Sequence, residues 1–398
     1  MYAFFWKQFP IFYTLPFLLA ASRFNQVAAV GEILRWAMLF AGCAMAVQSG
    51  FRRAGLKRRI FTWADRAIIA FLLLFLASEL WTIEPWVTAQ KTISMLLLYG
   101  CSFWTLWEYA DHFSEQWLLR KLSNFLGIFF SINLLSGLVL PGALLVGRFR
   151  GILNNPNHIG LILGLAIPLV ISQWLYTRRK LPLAIALILS LNVIACGSRT
   201  AMLGVAVATL AILISLFAKR SSQALAVSVL VVIGLALFTQ TDLFANHILR
   251  ETSLSTASNR TYFWELAKTY IAHRPDFGHG FGTDDVIHNY YGTVLSKLQL
   301  RGYGVMSSYY GLAVQLGWPA TYCFFGLMWG FVAYCFVKYW RNYALVTLAA
   351  VLASGLVMCI FEPAITSAGN VFSFLFWMIF MLAIRRAYYQ KRGLLAHI

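Results

Sequence analysis

Residues 181–217 read LPLAIALILSLNVIACGSRTAMLGVAVATLAILISLF. Two apolar runs flank the short connector CGSRT, which sets a permanent cation, Arg199, between them. A helix needs about 20 mostly apolar residues to cross the hydrocarbon core, whereas a barrel strand alternates in polarity over about ten. These runs do not alternate, so they read as consecutive membrane helices joined by a tight turn. The pattern recurs at residues 5–22, 28–48, 66–82, 88–109, 122–140, 158–175, 223–239, 308–336, 343–360 and 371–386. The expected fold is therefore an all-α, polytopic membrane bundle of about 12 transmembrane helices. Residues 1–239 would hold nine of them, 240–307 one long outer loop, and 308–398 the last three and a cytoplasmic tail. Composition agrees: 60% of the 398 residues are hydrophobic, 12% are charged, and the mean hydropathy is +0.70. That balance lies outside the soluble range. The first apolar stretch, IFYTLPFLLAAS, lacks a small-x-small cleavage site and reads as a retained span.

A net charge of +18 raises the question of nucleic acid, and the placement of the charges answers it. Nineteen of the 32 lysines and arginines fall on alternate connectors that include FRRAGLKRR (51–59), YTRRK (176–180) and the tail, against eleven on the opposite side. The positive-inside rule makes the first side cytoplasmic, with both termini there. The basic balance thus reports topology, and no nucleic-acid partner is expected. The six cysteines lie in or at the ends of spans without CxxC spacing, which predicts neither a disulfide framework nor a zinc site.

The long outer segment contains SNRTYFWELAKTYIAHRPDFGHGFG (258–282), which predicts a short helix capped by Ser258 or Asn259 and ended by Pro275 and Gly278. Phe263, Leu266, Ala267, Tyr270 and Ile271 share one face, with Arg260 one turn earlier, directed to the headgroup layer or the mouth of a cavity. A second outer connector, VGRFRGILNNPNHIG (146–160), carries Arg148, Arg150, Asn157 and His158 around a turn at Pro156.

The outer cations need a reason that topology does not supply. An arginine costs about 2.5–3.5 kcal/mol at the centre of a span and less near the boundary, where it can snorkel. Arg199 has no acid in its own connector, and Arg148, Arg150 and Arg260 also lie on this side, so anchoring and anion binding both fit. Guanidinium groups grip phosphate oxygens through a planar fork, and a dry boundary strengthens that contact. His158, His279 and His288 are the titratable candidates for taking a hydroxyl proton, although a lone histidine is more often a satisfied loop residue. The pair Asp284 and Asp285 lacks supporting ligands for a metal. Outer tyrosines, Tyr309 among them, could stack on sugar faces or sit in an interface belt.

GILNNPNHIG (151–160), GSRTAMLG (197–204), SNRTYFWELAKTYIAHRPDFGHGFG and SSYYGLAVQLGWPA (307–320) together resemble the O-antigen ligase and O-antigen polymerase superfamily, over roughly residues 145–330. The resemblance implies a GT-C type membrane glycosyltransferase that needs no cofactor, nucleotide sugar or metal. Its implied donor is an undecaprenyl-pyrophosphate-linked glycan, and its acceptor is lipid A core or another lipid-linked glycan. By position, Arg199 and Arg260 match the two arginines that hold the donor pyrophosphate in the family. The family histidine aligns with Met306, which cannot accept a proton, and His288 in HNYYGTVL is the expected substitute, with arginine electrostatics alone, or Asp284 or Asp285 as base, as the alternatives.

These readings converge on an enzyme of the bacterial inner membrane with its site on the periplasmic side. Arg199, Arg260 and His288 are the expected catalytic residues, with Arg148, Arg150, Asn157, His279 and Tyr309 as substrate contacts. A ligase is favoured over a polymerase by the compact length and single dominant loop. A transporter is the reading from another class, but it calls for charges deeper within several spans and a half-to-half repeat, and neither is evident.

Overall fold

The structure, a computed structural model, describes residues 2–52, 61–145, 147–217, 260–291 and 304–392. Fourteen α-helices appear among them: α1 (Tyr2–Ala20), α2 (Asn25–Arg52), α3 (Trp63–Ala77), α4 (Pro85–Tyr99), α5 (Leu106–Phe113), α6 (Glu115–Val139), α7 (Pro156–Thr177), α8 (Lys180–Cys196), α9 (Arg199–Phe217), α10 (Arg260–His273), α11 (Ile287–Tyr290), α12 (Ser308–Tyr339), α13 (Tyr343–Phe361) and α14 (Val371–Lys391). A π-helical stretch, Gly100–Thr105, joins α4 to α5, so the span expected at 88–109 lies in one longer, locally underwound unit. The strands are a minimal antiparallel pair, β1 (Leu144–Leu145) and β2 (Arg148–Phe149).

The all-α membrane reading holds. Six helices are long and apolar enough to cross a bilayer: α2 over Asn25–Gln48, α6, α7, α12, α13 and α14. Helices α8 and α9 are apolar but shorter. The expected span at 223–239 lies outside the described residues, as do residues 240–259 and 292–303 of the long outer segment and the caps Ser258 and Asn259. Among the described residues, six helices thus meet the length and apolarity of a span, and the expected count of about twelve is not decided by them.

Packing centres on α13 and α14, which are buried along most of their length. Helix α13 lies against α7, α9, α12 and α14. Small residues permit this close approach. A methyl group at Gly164 of α7 would lie 2.4 Å from the Met358 sulfur, and one at Gly204 of α9 would lie 2.8 Å from it. Such small-residue contacts are how apolar helices associate without a hydrophobic driving force. They fix α7 and α9, whose first turns carry Asn157 and Arg199, against α13, the helix that Glu362 follows.

The connectors sort to two ends. At one, the Arg23 guanidinium donates to the Pro141 carbonyl and Arg35 to that of Gly369. At the other, Arg385, with only 2% of its surface exposed, pairs with Asp111 and Glu115. The second end gathers the basic connectors, while the first holds all the expected site residues that the next section describes.

Candidate functional site

Helix ends position Asn157, Arg199, Arg260 and Glu362, and strand β2 carries Arg148. The Asn-Asn-Pro-Asn turn serves as the start of α7: Asn155 caps it by accepting from the Asn157 amide at 2.9 Å, and Pro156 takes the first helical position, where its missing N–H costs nothing. Helix α8 ends at Gly197 in the left-handed conformation, and α9 begins two residues later at Arg199. Arg260 opens α10, and Glu362 follows directly on α13.

These ends converge. Arg148 Nε donates to the Cys196 carbonyl at 2.8 Å, beside the turn that launches Arg199, and its Nη2 donates to Asn157 Oδ1 at 2.8 Å. The Asn157 amide reaches Glu362 Oε1 at 3.4 Å. Arg260 Nη2 pairs with the same carboxylate oxygen while its Nε donates to the Phe361 carbonyl at 2.9 Å. Ser308 at the start of α12 fixes the connector by donating to the Glu362 carbonyl at 2.7 Å and accepting from the Ala364 amide. Burial raises the Glu362 carboxyl above the usual carboxylate range, and nearby Arg260 and Arg148 only partly counter it. The result is an arginine cluster at a protein boundary with an internal carboxylate as its counter-ion.

Arg148, Asn157 and Arg260 are thus brought together, with Arg199 on the adjoining turn and half-buried. Arg260 points inward to Glu362, not to the headgroup layer. The face of α10 is as read: Phe263, Ala267, Tyr270 and Ile271 are buried and Leu266 is half-buried.

Three expected substrate contacts, and His288, expected to be catalytic, lie outside this cluster. Arg150 donates to the Gly142 and Asn154 carbonyls and so pins its own connector. The Tyr309 ring stacks on Phe325 at 3.7 Å, and its hydroxyl meets the Leu356 carbonyl and the Trp329 indole within the bundle. His279 is fully buried: Nδ1 faces the Val314 carbonyl at 3.1 Å and Nε2 the Tyr291 hydroxyl at 2.8 Å. A carbonyl only accepts, so Nδ1 carries the proton and Nε2 accepts from Tyr291. Burial lowers its pKa, which keeps the ring neutral in an anchoring role. His288 is 4% exposed, with Nδ1 at 2.9 Å from the Tyr270 hydroxyl and Phe263 against its ring, so α10 holds it from below.

The loop after α10 docks through a break in α12. Gly317 adopts φ 80 and ψ 171, and Pro319 has no N–H, so the Val314 and Gln315 carbonyls lose their helical donors. The amides of His279 and Gly280 replace them at 2.9 Å each. Trp318 N–H turns instead to the Pro275 carbonyl at 2.8 Å. The segment QLGWPA, read as the opening of a span, is therefore a helix interruption that receives the GHG turn. Beside it, Asp284 is buried and accepts from Gln315 Nε2 at 2.8 Å, while Asp285 pairs with Lys91 at 3.0 Å.

A cavity of about 390 Å³ opens at the same end, lined by Arg35, Lys91, Asn154, His158 and Asn370 among others. His158 Nδ1 is buried there without a hydrogen-bond partner. The connector from Glu362 to Asn370 links this cavity to the arginine cluster. Glu362 was the residue that motif reading passed over. Its signal was an acid on the last connector expected to face outward, FEPAITSAGN, where acids are scarce.

The molecule is thus a multi-pass helical membrane protein with arginines and a buried carboxylate gathered at one end. Residues 184–325, a little over a third of the chain, match the family model described as O-antigen ligase. That stretch contains Arg199, Arg260 and His288, and it supports the O-antigen ligase and polymerase superfamily that the motifs resemble. None of the curated proteins compared with the chain matches it.

Proposed function

We propose that this protein transfers a preassembled glycan from undecaprenyl pyrophosphate to an acceptor hydroxyl at the periplasmic face of the inner membrane, as an O-antigen ligase acting on lipid A core. The observation that carries the reading is the convergence of Arg148, Asn157, Arg260 and Glu362 beside the turn bearing Arg199, within and next to the matched region.

Arg199, Arg260 and Arg148 would hold the donor pyrophosphate, whose charge grows as the glycosidic bond to phosphate breaks. Fixed donors aimed at developing charge are worth most in a water-poor boundary. The cavity lined by Lys91 and His158 offers room for sugar next to that point. Pyrophosphate arriving on Arg260 competes with Glu362 and releases it. The freed carboxylate, buried and now beside an added anion, becomes the better proton acceptor. It takes the acceptor hydroxyl proton as that oxygen bonds to the anomeric carbon and carrier pyrophosphate leaves. One displacement of this kind inverts the anomeric centre and calls for no metal.

Polymerisation of lipid-linked repeats uses the same donor chemistry and differs in acceptor. Purified protein supplied with a lipid-linked glycan and lipid A core distinguishes them. A core-linked product is expected; a ladder of longer carrier-linked chains identifies a polymerase instead. No glycosyl transfer to either acceptor by folded preparations that bind the donor would remove the proposal.

A further inference from the structure

At the end of the bundle opposite the arginine–carboxylate cluster, a cavity of about 780 Å³ opens between α6, α7, α8, α13 and α14. Arg120, Arg179, Arg341 and Arg386 line it. Glu115 is the only acid among its lining residues, and it is already paired with Arg385 and Arg386. Arg120, Arg179 and Arg341 form no ion pair with another described residue. Arg120 instead rests over the Trp117 ring at 4.8 Å.

The positive-inside rule accounts for cations at this end. It does not account for four arginines around one cavity, nor for what lies beneath them. Gln173 is four residues inside the end of α7 and Thr347 four residues inside the start of α13, about 6 Å deeper at the rise of a helix. Gln173 donates to Ser123 at 2.9 Å, and Ser172 donates to Thr347 at 3.3 Å. The Tyr343 hydroxyl lies buried beside Ser172 and Thr347 without a hydrogen bond of good geometry. Leu169 and Leu348 complete an apolar flank.

Gln173, Ser172 and Thr347 have partners, but the buried Tyr343 hydroxyl at this depth is costly unless something satisfies it. The ligand must bring negative charge to the rim, hydroxyls to the floor and hydrocarbon to the flank. Basic pockets between membrane helices on the cytoplasmic side bind anionic lipid headgroups for the first of these reasons. We propose that this cavity is a binding site for one anionic glycerophospholipid of the inner leaflet. Its phosphate sits among the rim arginines, its headgroup hydroxyls reach Tyr343 and Gln173, and its acyl chains run along Leu169 and Leu348. The charge complementarity selects this occupant over a zwitterionic lipid, and the apolar flank selects it over free phosphate. The proposal is independent of the glycosyl transfer argued above.

The test uses the full chain in phosphatidylcholine nanodiscs doped with phosphatidylglycerol, followed by native mass spectrometry on release. One phosphatidylglycerol should remain with each wild-type chain. Retention should fall about tenfold in the double variant Arg179→Gln, Arg341→Gln, a change equivalent to the loss of one good charged contact. Lys338→Gln, at the same end but outside the cavity, should retain the lipid. Because the double variant could lose its fold, a second measurement needs only wild-type protein: its thermal transition should rise with phosphatidylglycerol but not with phosphatidylcholine or inorganic phosphate. Equal retention of phosphatidylcholine, equal retention by the folded double variant, or equal protection by inorganic phosphate alone overturns the assignment.

Discussion

Arg199 and Glu362 show the two kinds of information a single residue carries. Arg199 was legible in the sequence because a cation between two apolar runs is expensive, and cost demands a use. Glu362 was not, because an acid in a short connector is unremarkable until its partner is known; Arg260 lies 102 positions away. The pair now makes separable predictions. Arg199→Lys keeps the charge but loses the planar fork, so transfer should fall by roughly 100-fold with the protein still folded. Glu362→Gln can still accept from Arg260 but cannot take a proton. Turnover should drop by about 10²–10⁴-fold, while the donor lipid binds as well or better because the competing carboxylate charge is gone. His288→Ala gives the contrast: its ring is held by Tyr270, and turnover should change less. Full activity in Glu362→Gln with none in His288→Ala would return the proton-acceptor role to the histidine.

At the scale of elements, periodicity found the helices and missed the break. The apolar face of α10 was readable from spacing, since Phe263, Ala267, Tyr270 and Ile271 recur at the helical interval. The interruption at Gly317 was not, because QLGWPA reads as apolar helix except for its glycine and proline, whose meaning depends on a loop some forty residues earlier. A methyl group at Gly317 would lie 2.4 Å from the Asp276 backbone, on a φ that side chains rarely adopt. Gly317→Ala should therefore undock the GHG turn, at a cost of about 1–3 kcal/mol from the backbone alone. Limited proteolysis should then cut residues 275–283 faster than in wild type, while the bundle stays intact.

The same docking places a titrating group at the junction of loop and bundle. Burial and the neighbouring Asp285 push the Asp284 carboxyl up to about 7, against the pull of Lys91. A carboxyl whose pKa is raised on folding holds its proton better in the folded state. Stability should therefore fall as pH rises from the ordinary aspartate range to about 7, then level off. In Asp284→Asn, which keeps the hydrogen bond to Gln315, that slope should flatten. Thermal unfolding of both proteins in detergent across this range measures it, and identical slopes would show that Asp284 does not control the junction.

For the whole molecule, composition foretold a helical membrane protein and charge asymmetry foretold two unlike ends. What composition could not foretell was how each end is used. One collects arginines around Glu362, and the other buries Arg385 against Asp111 and Glu115. The orientation of those ends is a prediction in its own right, and it decides whether the arginine cluster can meet a periplasmic substrate. Leu144 is 61% exposed on the connector before α7, at the end of the cluster. Gln116 is exposed at the start of α6, beside the Arg385 network. In variants lacking reactive native cysteines, Leu144→Cys should react with a membrane-impermeant maleimide in intact spheroplasts. Gln116→Cys should react only after the membrane is opened, since the basic connectors around it belong inside. The reverse pattern would turn the cluster to the cytoplasm, away from the periplasmic face at which the proposed transfer takes place.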